Sequence, residues 1–102
     1  MPDQPSPDEC AQWLRALAEP IRLKMIRELL RQPQTVTALA NRMGVEIATA
    51  SHHLQVLLRA GLLSVERQGR FSTYQLNSEF HRRLSRGRGG RFDFGCCRFE
   101  LF

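Results

Sequence analysis

Three cysteines carry the most reactive side chains of this chain: Cys10 near its start, and the adjacent pair Cys96 and Cys97 near its end. Adjacent thiols can bind a soft ion such as arsenite or respond to an oxidant, particularly when a third thiol joins them. The neighbouring Arg98 favours the thiolate form. Free cysteine is, however, often a small buried hydrophobe, and phenylalanines surround the pair. Two interpretations stay open: a thiol sensor formed by Cys96, Cys97 and Cys10, or packing alone.

A second group of polar side chains, between residues 48 and 70, has the types that read DNA. Glutamine can pair with adenine, histidine can bond a base edge, and threonine can touch a thymine methyl group. Threonine and serine can equally bond phosphate, and arginine suits phosphate or the minor groove. An ordinary solvated surface is the alternative for each residue taken alone. The predicted DNA-contacting residues are Ala48, Thr49, Ser51, His52, Gln55, Arg59, Arg67 and Arg70.

An enzyme is not expected. A cysteine or histidine nucleophile needs a base with an orienting acid, and the sequence around Cys96 offers no convincing acid for that role. A chain of 102 residues forms one domain with a modest core. No apolar run approaches the roughly 20 residues of a membrane helix, and the polar, acidic start is unlike a signal peptide. We therefore expect a cytoplasmic protein with no membrane partner.

The net charge of +5 is confined to the last third of the chain. Residues 1–66 carry seven basic and seven acidic groups, whereas residues 67–102 carry eight arginines against three acidic residues. A localised basic surface attracts a polyanion, and the planar guanidinium suits phosphate and guanine. Double-stranded DNA is the expected partner, and a merely solubilising basic tail is the alternative.

Apolar residues at helical spacing predict four helices that position these side chains. Ser6 is the expected N-cap of the first, whose apolar stripe includes Leu14. The second begins at Pro20 and ends before the Gln-Pro-Gln sequence at 32–34.

The third and fourth helices form a pair joined by a short glycine-containing turn. Thr35 can cap the third helix, and Gly44 ends it. The fourth runs from about residue 47 to residue 60 and ends at Gly61. Its predicted buried face consists of Ala50, Leu54, Leu57 and Leu58.

The hydrophobic period changes after the fourth helix. Apolar and polar residues alternate at 63–67, which predicts a strand. Gln68-Gly69-Arg70 supplies a turn, and residues 71–76 form a second strand candidate. A helix pair followed at once by a basic hairpin matches a winged helix-turn-helix, with the wing at about 63–76. The predicted fold class is therefore mainly α with a β-hairpin wing (α+β).

Four segments occur in a characteristic order: ALAEPIRL at 16–23, SHHL at 51–54, AGLL at 60–63, and QGR followed by YQL within 68–76. In this order and spacing they resemble the ArsR family of bacterial repressors. The resemblance implies a homodimer in which one recognition helix per subunit reads a palindromic operator, and an inducer that releases the DNA. A winged helix that binds only proteins is the alternative.

The usual metal ligands of that family are missing here. Metal-sensing members carry cysteines and an acid in the helix before the recognition helix, where this chain has Thr35, Thr37 and Ala38. Hydroxyls are poor ligands for soft metals, so no metal is expected at Thr35 or Thr37. The family's other site, on a long C-terminal helix, retains only His81, and nearby glycines interrupt that helix. No cofactor is expected, and a soft metalloid or redox signal at Cys96 and Cys97 is the remaining candidate.

The C-terminal segment differs in composition from the rest. Residues 1–84 are expected to form the DNA-binding domain, and residues 85–102 an Arg/Gly linker with a β-like end that packs on the same domain or across the dimer. Alternation at 92–94 and 97–101, with a slip in phase between them, predicts a β element with a bulge at Gly95-Cys96.

Overall fold

The computed structural model describes residues 5–83, 91–93 and 98–100. None of the helices in these ranges is long and apolar enough to span a membrane. The predicted fold class, mainly α with a β-hairpin, is confirmed. The elements are α1 (Pro7–Leu17), α2 (Pro20–Arg31), β1 (Gln34–Thr35), α3 (Val36–Met43), α4 (Ile47–Arg59), β2 (Leu63–Gln68), β3 (Phe71–Leu76), α5 (Ser78–Arg82), β4 (Arg91–Asp93) and β5 (Arg98–Glu100).

The helices begin and end at the residues whose chemistry suits those positions. The hydroxyls of Ser6 and Thr35 each accept a hydrogen bond of 3.2 Å from the backbone N–H three residues later, as predicted. The Glu19 carboxylate caps α2 in the same way at 3.0 Å. Gly44 ends α3 with φ 67°, a left-handed conformation that costs glycine little.

The hairpin of β2 and β3 is the predicted wing. The pairing runs from Leu63 opposite Leu76 to Gln68 opposite Phe71, so Gly69 and the residue after it form the turn. Gly69 has φ 60°, which fits a two-residue turn with glycine in its first position. The turn therefore holds the two strands in register up to their tips.

β1 is a two-residue strand that the sequence analysis missed. It pairs antiparallel with β3, with Gln34 opposite Tyr74, and so makes β3 the central strand of three. The sequence at 32–34 predicted only the end of a helix, because a local pattern contains no sign of a partner so far along the chain. Gln34 is buried, and its Nε2 donates to the Glu28 carbonyl at 3.1 Å, which joins the sheet to α2.

The core lies between α2, α3, α4 and the inner face of the sheet. Leu14 of the predicted apolar stripe is not part of the core, since 42% of this residue is exposed. Ala16 is buried instead, and residues two positions apart lie about 160° apart around a helix, so α1 faces the core away from Leu14. The largest fully buried side chains are Met25, Ile26, Leu39, Leu54, Leu57 and Leu62.

The C-terminal residues form the β element that alternation predicted. β4 and β5 pair antiparallel, with Phe92 opposite Phe99. The Asp93 backbone N–H donates to the Arg83 carbonyl at 3.2 Å, which attaches this hairpin to the end of α5. The Arg/Gly segment and the bulge at Gly95-Cys96 lie outside the described residues, and the division at residue 84 stays a prediction.

Leu54→Ala should lower the free energy of unfolding by about 3 kcal/mol, because it leaves a cavity at a fully buried position. Ile47→Ala on the same helix is the control, since Ile47 is 52% exposed and should change stability by less than about 1 kcal/mol. Urea unfolding followed by circular dichroism measures both. Equal losses in the two variants would contradict the packing described here.

Candidate nucleic-acid interface

α4 presents a polar face opposite its buried side. Ala50, Leu54 and Leu57 have no exposed surface, so the residues about half a turn away point to solvent. The structure places all six predicted contact residues of this helix at its surface. Four are exposed and two are half-buried: Ala48, Thr49, His52 and Arg59, and then Ser51 and Gln55.

These six residues divide into two groups along the helix. Five lie in the first turns, between Ala48 and Gln55, whereas Arg59 is in the last turn, about 16 Å further along the axis from Ala48. Arg59 lines a shallow cleft of about 310 Å³ together with Arg15 of α1. The N-terminal group therefore forms one continuous surface that Arg59 does not share.

The N-terminus of α4 is open. Of the five helices in the described residues, α4 alone begins without a side-chain cap, because Glu46 at its N-cap makes no such hydrogen bond. Free backbone N–H groups and the positive end of the helix dipole favour an anion there. Ile47 in the first turn is 52% exposed. The sequence analysis did not select Ile47, although its position at the predicted helix start was the available signal.

The tip of the hairpin, residues 67–71, carries two cations and an aromatic ring. Arg67 and Arg70, both predicted to contact DNA, are exposed. Arg67 makes only a long contact of 3.5 Å with the Ser72 hydroxyl, and Arg70 has no hydrogen-bond or ion-pair partner in the described part of the chain. Phe71 is 69% exposed beside them. The sequence analysis treated Phe71 only as the start of a strand, so this surface ring is an addition.

Comparison with known proteins identifies the arrangement. A family profile described as a helix-turn-helix domain matches residues 17–66. This chain is also similar to the solution structure of Mb0332 from Mycobacterium bovis, a homodimeric winged helix-turn-helix DNA-binding domain described as a possible ArsR-family transcriptional regulator. The two superpose with TM-score 0.69 at 32% identity, and the match covers 72% of this chain and 68% of that chain. The chain belongs to the ArsR family.

Two curated ArsR-type relatives are similar in sequence over most of the chain. The HTH-type transcriptional regulator NmtR of Mycobacterium tuberculosis is 39% identical over 74 residues, which are 72% of this chain and 62% of NmtR. The arsenical resistance operon repressor of Bacillus subtilis is 38% identical over 69 residues, 67% of this chain and 66% of that protein. The chain thus spans less than two thirds of NmtR. Both relatives are named as regulators of transcription, in agreement with the expectation that this chain is not an enzyme.

Thr35, Thr37 and His81 stand where the resemblance places metal ligands in other ArsR members. Thr35 uses its hydroxyl to cap α3, and Thr37 lies exposed on that helix. His81 is exposed on α5. Among residues 5–83, 91–93 and 98–100, no group of three or more His, Cys, Asp or Glu side chains is placed to hold a metal ion.

The three cysteines are only partly described. Cys10 lies in α1, is 4% exposed, and has its sulfur in a disulfide. Cys96 and Cys97 lie outside the described residues, and the thiol sensor stays a prediction.

His52 and His53 have different surroundings although they are adjacent in this ArsR chain. The His52 residue is exposed, whereas the His53 side chain is 13% exposed. The Nδ1 atom of His53 lies 3.1 Å from Nη1 of Arg22 and 3.8 Å from Oε2 of Glu19. Local sequence patterns give no sign of this contact, because it joins residues that are 31 positions apart.

Thr35→Ala should lower the free energy of unfolding by about 1 kcal/mol, because it removes the N-cap hydrogen bond of α3. Thr37→Ala is the matched control, since Thr37 is exposed two residues into the same helix and should change stability by less than about 0.5 kcal/mol. Thermal and urea unfolding compare the two. A Thr37→Ala loss as large as that of Thr35→Ala would exclude the capping role.

Proposed function

We propose that this protein is a dimeric, sequence-specific DNA-binding repressor. The observation that carries the proposal is the pairing of two exposed surfaces on one rigid core: the first turns of α4, and the arginine-bearing turn between β2 and β3. Both surfaces have side chains that suit DNA, and the fold fixes where each lies relative to the other.

The first turns of α4 suit the major groove. The groove is about 12 Å wide, which admits one helix, and the small side chains of Ala48, Thr49 and Ser51 allow close approach. His52 and Gln55 are longer and can bond base edges, with glutamine suited to adenine. The open N-terminus of α4 supplies N–H groups for a phosphate, which would fix the depth of the helix in the groove.

The wing turn suits the backbone or minor groove beside that site. Arg67 and Arg70 supply exposed positive charges with almost no competing contacts in the described residues. Phe71 can pack against deoxyribose, since its ring is apolar and exposed. Arginine in a narrow minor groove is a recognised form of shape readout.

A palindromic operator follows from a two-fold dimer. The Mycobacterium bovis domain is described as homodimeric, and the exposed Leu14 of α1 provides an apolar residue for such a contact. Two recognition helices in a symmetric dimer read half-sites about 10 base pairs apart, or a multiple of that spacing. We propose that this occurs in the cytoplasm, where the chromosome of a bacterium lies.

Selection of duplexes from a random-sequence library should yield an inverted repeat. Gln55→Ala should bind the selected duplex about tenfold more weakly, and a repeated selection should lose the preference at one position of each half-site, since one bidentate base contact is worth about 1–3 kcal/mol. Gln12→Ala is the matched control, because Gln12 is an exposed glutamine on α1. This variant should leave the affinity for the duplex and the base preference unchanged. Recovery of no duplex at all would favour the alternative of a protein-binding module.

Arg70→Gln should weaken binding to specific and unrelated duplexes alike, and should reduce the slope of log affinity against log salt by about 1, because one phosphate contact is lost. Arg31→Gln, at the exposed end of α2, is the control with the same change of charge. Fluorescence anisotropy across a salt series measures the slopes. Equal salt slopes for Arg70→Gln and Arg31→Gln would show that Arg70 of the wing does not contact DNA.

A further inference from the structure

Arg22 connects three parts of the structure beneath α4. Its Nε donates to the Ala16 carbonyl at the end of α1 at 2.5 Å, and its backbone N–H donates to Oε2 of Glu19 at 3.0 Å. Its Nη1 reaches α4 and lies 3.1 Å from Nδ1 of His53. One guanidinium therefore joins the corner between α1 and α2 to the middle of α4.

The chemistry of the two groups limits how this contact can form a hydrogen bond. A guanidinium has only donors, so a hydrogen bond between these two atoms requires Nδ1 of His53 to be an acceptor without a proton. The imidazole is then neutral, with its proton on Nε2. Oε2 of Glu19 lies 3.8 Å from the same Nδ1, which is beyond hydrogen-bonding distance. A hydrogen bond from Arg22 to this atom is therefore compatible only with the neutral imidazole.

Protonation of His53 would change its partner. A proton on Nδ1 would face the Nη1 donor of Arg22, so that two cations would meet where a hydrogen bond had been. Glu19 would become the attractive partner, although its Oε2 already caps α2. The link from the α1–α2 corner to α4 would be lost, and the start of α2 would be disturbed as well.

The charged surroundings of His53 are few. Arg22 of α2 and Glu19 before it face the ring from neighbouring elements. His52 is the titratable neighbour on its own helix, with ring centroids 5.4 Å apart. In the described part of the chain, no charged side chain of α1 or α3 lies within hydrogen-bonding or ion-pairing distance of the imidazole.

We propose that Arg22 and neutral His53 are positioning residues that hold α4 at the angle needed for DNA, and that protonation of His53 releases this hold and weakens DNA binding. The inference rests on the proposed function. It assigns no base contact to His53, since the adjacent His52 occupies the outward face. It predicts that acidification affects DNA affinity through His53 in the opposite direction to the general gain of positive charge.

The first experiment compares wild type with His53→Asn on one selected duplex, at about pH 8 and about pH 5.5, the range in which histidine changes charge. The amide oxygen of asparagine can accept from Arg22 and does not titrate. Both proteins share His52 and His81, so the contributions of these cancel in the ratio of the two affinities. The DNA affinity of His53→Asn divided by that of the wild type should rise about tenfold on acidification. That change is equivalent to the loss of one charge-assisted hydrogen bond in the wild type.

His81→Asn is the matched control, because it removes an exposed histidine far along the chain and should give a ratio to wild type that does not rise with acidification. A His53→Asn ratio that stays constant or falls would overturn the positioning inference alone. Failure of the wild type to bind any selected duplex at either pH would overturn the proposed function, and this inference with it.

The second experiment needs no DNA and uses the wild type only, so it applies even if His53→Asn fails to fold. Nitrogen NMR of the imidazole at about pH 8 should show His53 with a protonated Nε2 and an unprotonated Nδ1. A proton on Nδ1 under these conditions would exclude the contact with Arg22 and would overturn the inference whatever the DNA measurements show.

Discussion

The packing of the inward side of α4 determines which side chains the helix presents to solvent. Ala50, Leu54 and Leu57 have no exposed surface, and Met25 and Leu39 of the neighbouring helices are equally buried. Successive helical residues are 100° apart, so a rotation of one position would expose Leu54 and turn the polar face toward the core. Exposing Leu54 and burying polar side chains would both cost free energy. The burial of the apolar residues therefore fixes the outward orientation of the polar residues of α4.

The wing depends on the same core through its root. Leu63 and Tyr74 of the hairpin are buried, whereas everything from Arg67 to Phe71 at its tip is exposed. A buried root with a projecting, positively charged tip is the arrangement that the proposed contact between the wing and DNA requires. The arginines of the tip also belong to the part of the chain that carries its excess charge, which agrees with a polyanion as the partner.

Much of this arrangement could be predicted from the sequence, because it depends on local chemistry. Ser6 and Thr35 are caps as predicted, and the strand at 71–76 has the predicted bounds. The errors have a common physical origin in contacts between distant parts of the chain. β1 exists only through its pairing with β3, Leu14 is exposed because of how α1 is turned against the core, and the Arg22–His53 contact has no local signature.

The candidate interface shows the same division. The polar face of α4 could be predicted once its apolar side was recognised, since both follow from one helical period. The exposure of the Phe71 ring could not, because exposure of an apolar side chain is decided by what packs on it. The cysteines are a different case. Cys10 is buried and disulfide-bonded, and a sensor at Cys96 and Cys97 stays a prediction.

The central claim is that the first turns of α4 and the wing turn contact DNA together. Amide chemical-shift mapping tests it most directly, with isotope-labelled protein titrated with a selected duplex. The account predicts that the largest changes fall at residues 47–55 and 67–71, with little change along the exposed side of α2. Changes concentrated on α1 and the cleft between Arg15 and Arg59, with residues 47–55 unaffected, would contradict it.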